Sequence, residues 1–292
     1  MDTHSNLAIN HYNRAALASV DSIVWSMPIS SIAEVLVCVD VNDTWSRAVQ
    51  VMKKNHFDVV GVREHGQAIG YVSLDAATRE SESRPAGSIG HCTERLEKLA
   101  VDSSLSLLET LHGLSSSQRL FVRKDRTHHV DRIVTRADLQ KAPVRMLVFG
   151  YITLLEIHLT DRIRETFPRD TWQLELGGCL QARKSEKKEC LRRESEGEDG
   201  ELLDCLDFSR KEDIIAGTPR LARECTPPHM EGEVLLSQVH SLRNALAHGR
   251  SLANRERQWA DVAEIVSDVR DLNALLEGRH EQNVHSRCEE VS

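Results

Sequence analysis

The feature that most constrains the fold of this chain is an internal repeat of about 60 residues in its first half. Each copy begins with a short apolar strand, continues with an amphipathic helix, and ends with two strands joined by a polar turn. The predicted strands are 35–39, 57–62 and 69–73 in the first copy, and 99–101, 120–122 and 130–134 in the second. Because one copy alone cannot cover its apolar face, the repeat predicts two α/β units packed on each other.

The second copy ends in Ile133-Val134-Thr135-Arg136-Ala137-Asp138-Leu139, a strand followed by the start of a helix. This segment, together with the repeat, resembles a CBS-domain pair, the Bateman module. The resemblance implies a regulatory adenine nucleotide (AMP, ADP or ATP), with the Thr135 hydroxyl contacting phosphate and the Asp138 carboxylate accepting from ribose hydroxyls. The alternative is that Thr135 only caps the helix and that Asp138 is the acid of its first turn.

The first copy departs from this pattern. One residue, rather than two, separates Ser73 from Asp75. We therefore carry the predicted nucleotide contacts over to Thr135 and Asp138 alone, and a working site in the first copy is in doubt. In the same copy, Asp43 and Thr44 are predicted to cap the first helix, and Asp102-Ser103-Ser104 take that place in the second.

Pro143 marks the end of the repeat, because proline disfavours helix at the preceding residue and suits the first turn of a new one. A long helix is predicted over 144–167. Its middle is apolar on nearly all sides, which indicates burial in a core or at a dimer interface. Glu156 interrupts that apolar surface, and if it is buried it needs a partner such as Arg243 or His248. The alternative, which we favour, is that Glu156 lies on the exposed face of the helix.

Beyond this helix, further helices are predicted over 172–193 and 255–276, with loops at 194–201 and 217–232. The stretch 202–215 is predicted to be a short apolar segment and a further helix turn. The segment 183–193 is the most basic in the chain. It could hold an RNA backbone, or it could be a solvated helix end whose charges pair at spacings of three and four residues, which we favour. Gly278 is predicted to end the last helix.

A helix over 235–248 carries the most informative motif of the second half. Its apolar stripe recurs at helical spacing and comprises Leu235, Val239, Leu242 and Leu246. Arg243, Asn244 and His248 fall on a different side of that helix. Gly249 follows directly and is predicted to end the helix. Arg243 and His248 lie about 140° apart around the axis, so a long arginine side chain or a second copy is needed to bring both to one substrate.

The sequence Arg243-Asn244-Ala245-Leu246-Ala247-His248-Gly249 resembles the Arg-x4-His signature of HEPN domains, with the fuller form Arg-Asn-x-x-x-His-Gly. The resemblance implies a helical bundle that dimerises and acts as a metal-independent ribonuclease. His248 would then act on protons during attack by the 2′-hydroxyl, and Arg243 would stabilise the anionic phosphate. The plainer alternative is a solvated helix end that happens to carry an arginine and a histidine.

Composition limits the classes of function. A net charge of −8 argues against broad, nonspecific binding to nucleic acid but leaves room for a local basic site. The seven cysteines form no Cys-x-x-Cys pair, and no His or carboxylate group has metal-ligand spacing, so we expect neither a disulfide framework nor a metal site. The polar N-terminus and the short uncharged run at 146–155 predict no signal peptide and no membrane span.

The sequence therefore predicts an α+β tandem CBS module followed by an all-α helical bundle. The expected bounds are a polar tail at 1–20, the CBS module at 21–142, the HEPN-like bundle at 143–279 and a polar tail at 280–292. The predicted function is a cytoplasmic, homodimeric, adenine-nucleotide-sensing endoribonuclease with Arg243, Asn244 and His248 at its catalytic site, no cofactor for catalysis and RNA as substrate. The alternative is a non-enzymatic protein in which both modules serve regulation and dimerisation.

Overall fold

We describe a computed structural model of the 292-residue chain, which covers residues 27–84, 86–90, 93–124, 129–176, 183–197, 201–227 and 232–290. The predicted N-terminal tail lies outside these described residues. Two compact units divide the chain between Val144 and Arg145, two residues after the expected boundary. We name the segment Trp25–Val144 the α/β unit, and the segment that begins at Arg145 the helical unit.

The α/β unit contains two sheets, one for each copy of the repeat. Their strands are β1 (Glu34–Val35), β2 (Cys38–Asp40), β3 (Val59–Glu64), β4 (Gln67–Ser73), β5 (Ala100–Val101), β6 (Arg119–Arg123) and β7 (Val130–Thr135). One sheet has the order β2-β3-β4 and the other β1-β7-β6-β5. In each copy the first strand pairs parallel with the second, and the second pairs antiparallel with the third. The predicted tandem of α/β repeats is thus confirmed.

The helices of the α/β unit follow the same repeat. They are α1 (Trp45–Asn55), α2 (Leu74–Ser83) and α3 (Leu107–Ser116), and a 3-10 turn, Arg136–Gln140, takes the place of α2 in the second copy. The Thr44 side chain caps α1 as predicted. In the second copy, however, the cap is Ser106, which forms a capping box with Glu109, rather than the segment Asp102-Ser103-Ser104. The hydrogen bonds from Ser106 lower the pKa of Glu109.

The two copies exchange the segments that lead into them. Strand β1 precedes the first copy but pairs with β7 of the second, where Glu34 lies opposite Ile133. About 60 residues later the relation is reversed, because Glu94 leads into the second copy and forms a bridge with Tyr71 in β4 of the first. Each sheet is therefore completed by residues that belong to the other copy.

The same exchange places one isoleucine of each leading segment in a core. The backbone N–H of Ile29 donates to Leu105 of the second copy, and that of Ile89 donates to Asp43 of the first. Both isoleucine side chains are fully buried. Burying an isoleucine contributes roughly 1.5–3 kcal/mol, so the exchange is held by packing as well as by backbone hydrogen bonds.

The two copies also share a core between their sheets. Its buried members come from both copies: Leu36, Val59, Tyr71, Leu96, Phe121 and Val130. The rings of Tyr71 and Phe121 lie with centroids 4.8 Å apart, and the Tyr71 hydroxyl donates to Glu94 at 2.7 Å. Burial, together with the hydrogen bond and charge of Glu94, raises the pKa of Tyr71 to about 12. The predicted stacking of two α/β units is confirmed by this shared core.

The helical unit contains helices alone among its described residues. They are α4 (Ala142–Thr166), whose first three residues belong to the α/β unit, α5 (Trp172–Glu175), α6 (Lys184–Ser195), α7 (Phe208–Ala216), α8 (Pro219–Glu224), α9 (Gly232–Ala247) and α10 (Trp259–Glu290), with 3-10 turns at Pro168–Asp170 and Leu202–Cys205. The predicted all-α character of the second half is therefore confirmed for the described residues, whereas a HEPN identity stays a prediction.

Several boundaries differ from the predicted ones. The expected loop at 217–232 contains α8, because Pro219 stands at the first position of a helix, where proline is tolerated, instead of breaking one. The expected helix over 172–193 is represented by α5 and α6, and residues 177–182 between them lie outside the described part. Helix α10 continues through Gly278 to Glu290, so the predicted polar tail begins inside a helix.

Helix α4 has the length and apolar composition of a helix that could cross a bilayer, although half of that apolar stretch is buried. Its buried side chains in the helical unit include Val148, Leu155, Leu159 and Ile163. Burial against other helices accounts for these apolar residues, as the sequence pattern indicated.

Candidate functional site

The Arg-x4-His motif occupies the C-terminal end of α9. Leu235, Val239 and Leu242 are fully buried and fix the helix in the unit. The N–H of Gly249 donates to Leu246 and that of Arg250 donates to Ala245 at 2.8 Å. Gly249 has a φ of 63°. These two bonds and the left-handed glycine make a Schellman motif, so the prediction that Gly249 ends the helix is confirmed.

This helix end places His248 at the capping position, where its side chain is exposed. Asn244, one turn earlier, is exposed as well. In the described part of the chain, no side chain forms a hydrogen bond or an ion pair with the His248 ring. The imidazole is therefore open to a ligand, and it is not packed into the apolar interior of the unit.

Arg243 is half-buried and faces α4 instead of His248. Its Nε atom lies 3.6 Å from Oε2 of Glu156. The Glu156 side chain is partly buried, 22% exposed, and Arg243 is one of the two partners expected for it in a buried position. An arginine has five N–H donors, and the two Nη groups of Arg243 have no partner among the described residues. The geometry leaves them available to an anion.

A second cation, which the sequence analysis did not single out, completes this cluster. Lys211 on α7 is only 5% exposed, and its Nζ atom lies 3.1 Å from Oε1 of Glu156. Glu156 therefore lies between two positive charges, which leaves the cluster with a net charge of about +1. The sequence contained a pattern that could have predicted the burial of Lys211. This lysine lies three residues after Phe208 and four before Ile215, on the same apolar face of a helix.

The guanidinium of Arg145 contacts the same end of α9. It donates to the carbonyl oxygens of Arg250 at 2.8 Å, Leu246 at 3.1 Å and Ala245 at 3.4 Å. The last carbonyls of a helix lack partners within the helix and carry its negative dipole end. The carbonyls of Ala245 and Leu246 already accept the Schellman bonds, and Arg145 adds a positively charged donor to each, so it stabilises the helix end that presents His248.

In the α/β unit, the structure brings Thr135 and Asp138 together. The backbone N–H and the hydroxyl of Thr135 donate to Oδ2 of Asp138 at 2.7 and 2.9 Å. The other carboxylate oxygen lies 2.9 Å from Nζ of Lys141, which also donates to the carbonyl of Ile32 and pairs with Glu34. Asp138 is 8% exposed. The carboxylate thus makes the capping contacts of the plainer alternative, and the nucleotide contacts stay a prediction.

The ion pairs of Lys141 also affect its own protonation. Burial lowers its pKa, but the hydrogen bonds and charges of Asp138 and Glu34 outweigh burial, so the pKa of Lys141 is raised. Lys141 therefore stays charged and remains a strong competitor for the Asp138 carboxylate at neutral pH.

The register of the strands shows why the first copy lacks the same pair. Ser73 ends β4 opposite Val59, as Thr135 ends β7 opposite Arg119. The residue three positions after Ser73 is Ala76, and it stands where Asp138 stands in the second copy. Asp75 is exposed one position earlier. The predicted departure of the first copy from the pattern is confirmed in its geometry.

The basic end of α6 is neutralised within its own helix. Arg192 pairs with Glu189 at 2.7 Å and also with Glu196, and Arg193 pairs with Glu189 at 3.2 Å. The two arginines lower the pKa of Glu189 to about 2. The preferred interpretation, salt bridges at spacings of three and four residues, is confirmed for Arg192 and Arg193. Within the described ranges, no cluster of three His, Cys, Asp or Glu residues has the geometry to hold a metal ion.

Neither a protein-family model nor a curated protein matches the chain. Solved structures of CBS-domain proteins are similar to it. They include CbpB in complex with c-di-AMP (14% identity, 48% of this chain and 98% of that one, TM-score 0.39) and a conserved CBS-domain protein of Thermoplasma acidophilum (22%, 44% and 77%, 0.33). A third is a hemolysin-like protein of Oenococcus oeni PSU that contains a CBS domain (14%, 42% and 94%, 0.35). These TM-scores lie below 0.5. Support for the internal repeat therefore comes from the strand register of this chain itself.

Proposed function

We propose that the helical unit is a metal-independent endoribonuclease of the HEPN type, and that the α/β unit is a CBS pair that regulates it by binding an adenine nucleotide. The observation that carries the proposal is the end of α9, where an exposed imidazole at a capped helix end lies within one and a half turns of a guanidinium with open N–H groups. An imidazole can move protons near neutral pH, and a guanidinium can bind the oxygens of a phosphate.

In the proposed reaction the 2′-hydroxyl of the RNA gives its proton to His248 and its oxygen attacks the adjacent phosphorus. The new oxygen–phosphorus bond forms while the bond to the 5′-oxygen breaks, and that oxygen takes up a proton from solvent or from a second imidazole. The products are a 2′,3′-cyclic phosphate and a 5′-hydroxyl end. Arg243 stabilises the crowded, doubly charged phosphorane-like transition state through its Nη groups.

A homodimer is part of this proposal. Arg243 and His248 lie about 140° apart on their helix, and Arg243 faces Glu156 on α4. Two copies that meet at the ends of α9 could present the imidazole of one and the guanidinium of the other to a single phosphate. Asn244, exposed on the same helix, would contribute its amide to the RNA or to the second copy.

The test uses a labelled single-stranded RNA incubated with the full chain in EDTA. We expect cleavage that leaves 2′,3′-cyclic phosphate ends and is lost in His248→Ala and Arg243→Ala. His240→Ala is the matched histidine control, because His240 lies on the same helix but pairs with Glu212 at 3.3 Å. Cleavage that survives in His248→Ala would show that the imidazole is not the catalytic group.

The alternative function, a non-enzymatic regulatory and dimerisation protein, is favoured by the net charge of −8. RNA is a polyanion, and a negatively charged protein gains little affinity from long-range attraction. If the wild-type chain cleaves no RNA with or without AMP, ADP or ATP, the nuclease proposal is wrong and the non-enzymatic function is the better one.

Regulation would act through the junction between the repeat and α4. Lys141 precedes the first residue of α4, and its ammonium is bound to Asp138. A nucleotide whose ribose hydroxyls donate to Asp138 competes with Lys141 for that carboxylate. Such a ligand binds more tightly when Lys141 has left Asp138, and it therefore favours a different arrangement at the start of α4. Coupling between two sites requires this difference in affinity between two arrangements.

A further inference from the structure

Arg145 is bonded to the backbone on both sides of His248. Two of its acceptors, Ala245 and Leu246, belong to the last turn of α9, and the third, Arg250, follows the glycine that ends the helix. One planar guanidinium thus bridges the segments before and after His248-Gly249. All three acceptors of Arg145 are backbone carbonyls. These contacts hold the backbone, and they give Arg145 no direct contact with a substrate.

The bridge restricts a stretch of chain whose exposed residues are little constrained by packing. His248, Gly249 and Arg250 are exposed, so these residues bury little surface that would fix the loop. The Schellman bonds hold the N–H groups of Gly249 and Arg250, and Arg145 holds carbonyls in the same stretch. Bidentate arginine contacts are geometrically specific, which a single flexible ammonium is not.

We propose that Arg145 is a positioning residue for His248, one that fixes the helix end so that the imidazole meets its target at a constant place. This inference rests on the proposed nuclease function and deepens it. Arg145 acts through the backbone, and its loss displaces the imidazole without removing it. A displacement of about 1 Å in a catalytic group can lower a rate by as much as ~100-fold.

The experiment compares Arg145→Ala and Arg145→Lys with wild type in steady-state cleavage of the labelled RNA in EDTA, well below the melting midpoint of each variant. We expect kcat to fall on the order of 10- to 100-fold in Arg145→Ala, with KM within about twofold because Arg145 does not touch RNA in the proposed geometry. Arg145→Lys should fall in between, since it keeps the charge but loses the fork of donors.

Amide hydrogen exchange supplies a readout that does not depend on activity. Exchange at Gly249 and Arg250 should speed up in Arg145→Ala, while exchange in the middle of α10 stays as in wild type. The matched control is Arg164→Ala, which removes an arginine from the same helix. Arg164 also has three partners, but they are the carboxylates of Asp161, Glu201 and Asp204. We expect this control to keep the wild-type kcat and the wild-type exchange at Gly249.

The outcomes separate this inference from the function on which it rests. If the wild type cleaves RNA and Arg145→Ala keeps its kcat, Arg145 has no positioning role while the nuclease stands. If Arg145→Ala does not fold, a wild-type kcat in Arg145→Lys overturns the inference in the same way. If the wild type cleaves nothing, the proposed function fails first and the positioning role with it.

Discussion

Lys211 is a buried, charged residue that forms an ion pair with one carboxylate, that of Glu156. Its ammonium is 5% exposed and lies 3.1 Å from Glu156. A buried ion costs free energy unless it is paired, and the partly exposed Glu156 supplies the partner of Lys211. The pair therefore matters for the stability of the helical unit, while Arg243 reaches the same carboxylate from the site.

We expect Lys211→Met to lower the free energy of unfolding by about 1.5–3 kcal/mol, the range for losing a hydrogen bond to a charged group. Methionine fills similar volume, so the loss reports on the missing ion pair rather than on a cavity, while Arg243 remains as the other partner of Glu156. The measurement is native-state amide exchange of core amides in α7 and α9.

Lys187→Met is the control for this substitution, because Lys187 is exposed on α6. It should change stability by no more than about 0.5 kcal/mol. Equal losses in the two variants would mean that the contact between Lys211 and Glu156 contributes nothing of its own. The double variant Lys211→Met, Glu156→Leu should recover part of the loss, since both charges are then removed together.

Among the elements, α9 and α10 are each associated with a glycine, and the two glycines differ in backbone conformation. Gly249 has a φ of 63° at the end of α9, and Gly278 lies inside α10 without a positive φ. A Cβ added to either would meet no atom within 4 Å. Steric crowding is therefore excluded in both places, and the two sites differ only in conformation.

The same substitution should consequently have opposite effects at the two positions. We expect Gly249→Ala to destabilise the helical unit by about 1–2 kcal/mol, because alanine is strained in the left-handed region. Gly278→Ala should stabilise it by about 0.5–1 kcal/mol, because alanine has less chain entropy to lose in a helix. Amide exchange in α9 and α10 measures both. A stabilising Gly249→Ala would contradict the Schellman end described for α9.

The starts of two helices, α3 and α8, differ from those that the sequence patterns predicted. Ser106 caps α3 although Asp102, Ser103 and Ser104 offered the same chemistry, since several Ser and Asp residues in a row leave the helix start ambiguous by a turn. Pro219 begins α8, because proline can start a helix as well as interrupt one. Local preferences of this kind are weak, and packing of the finished unit decides between them.

For the molecule as a whole, the nucleotide proposal is tested at Asp138. A ligand that binds the folded state stabilises it, by ~2.7 kcal/mol at a concentration 100-fold above its Kd. We expect AMP, ADP or ATP to raise the melting midpoint of the wild-type chain and to leave that of Asp138→Asn unchanged, because the amide presents one acceptor oxygen and no charge to the ribose hydroxyls.

Asp75→Asn is the matched control. Asp75 is the exposed acid of the first copy, and it stands one position away from the place of Asp138. This variant should respond to nucleotide as the wild type does. An equal shift in Asp138→Asn would place the ligand elsewhere, and no shift with any of the three nucleotides in the wild type would exclude the proposed sensing role.

The sequence by itself determined the repeat, the change to helices near Pro143 and the helix end at Gly249, although α4 begins one residue before the proline, at Ala142. Each of these depends on residues close together in the chain: an apolar period, a proline, or a glycine after an amphipathic helix. The exposed position of His248 follows from the same kind of local pattern. The sequence also shows that Ala76 stands in the first copy where Asp138 stands in the second. Short-range constraints on the backbone depend on neighbouring residues alone, so they can be predicted from the sequence.

Apart from Arg243 and Glu156, whose contact the sequence analysis considered, the tertiary structure decided which distant groups meet. It paired Glu156 with Lys211, 55 positions away, and placed Arg145 on the last carbonyls of α9, about 100 positions away. It also exchanged the leading segments of the two copies, so that Glu34 completes the sheet of the second. Such contacts depend on how apolar faces pack, which fixes the distances between charges that no local pattern relates.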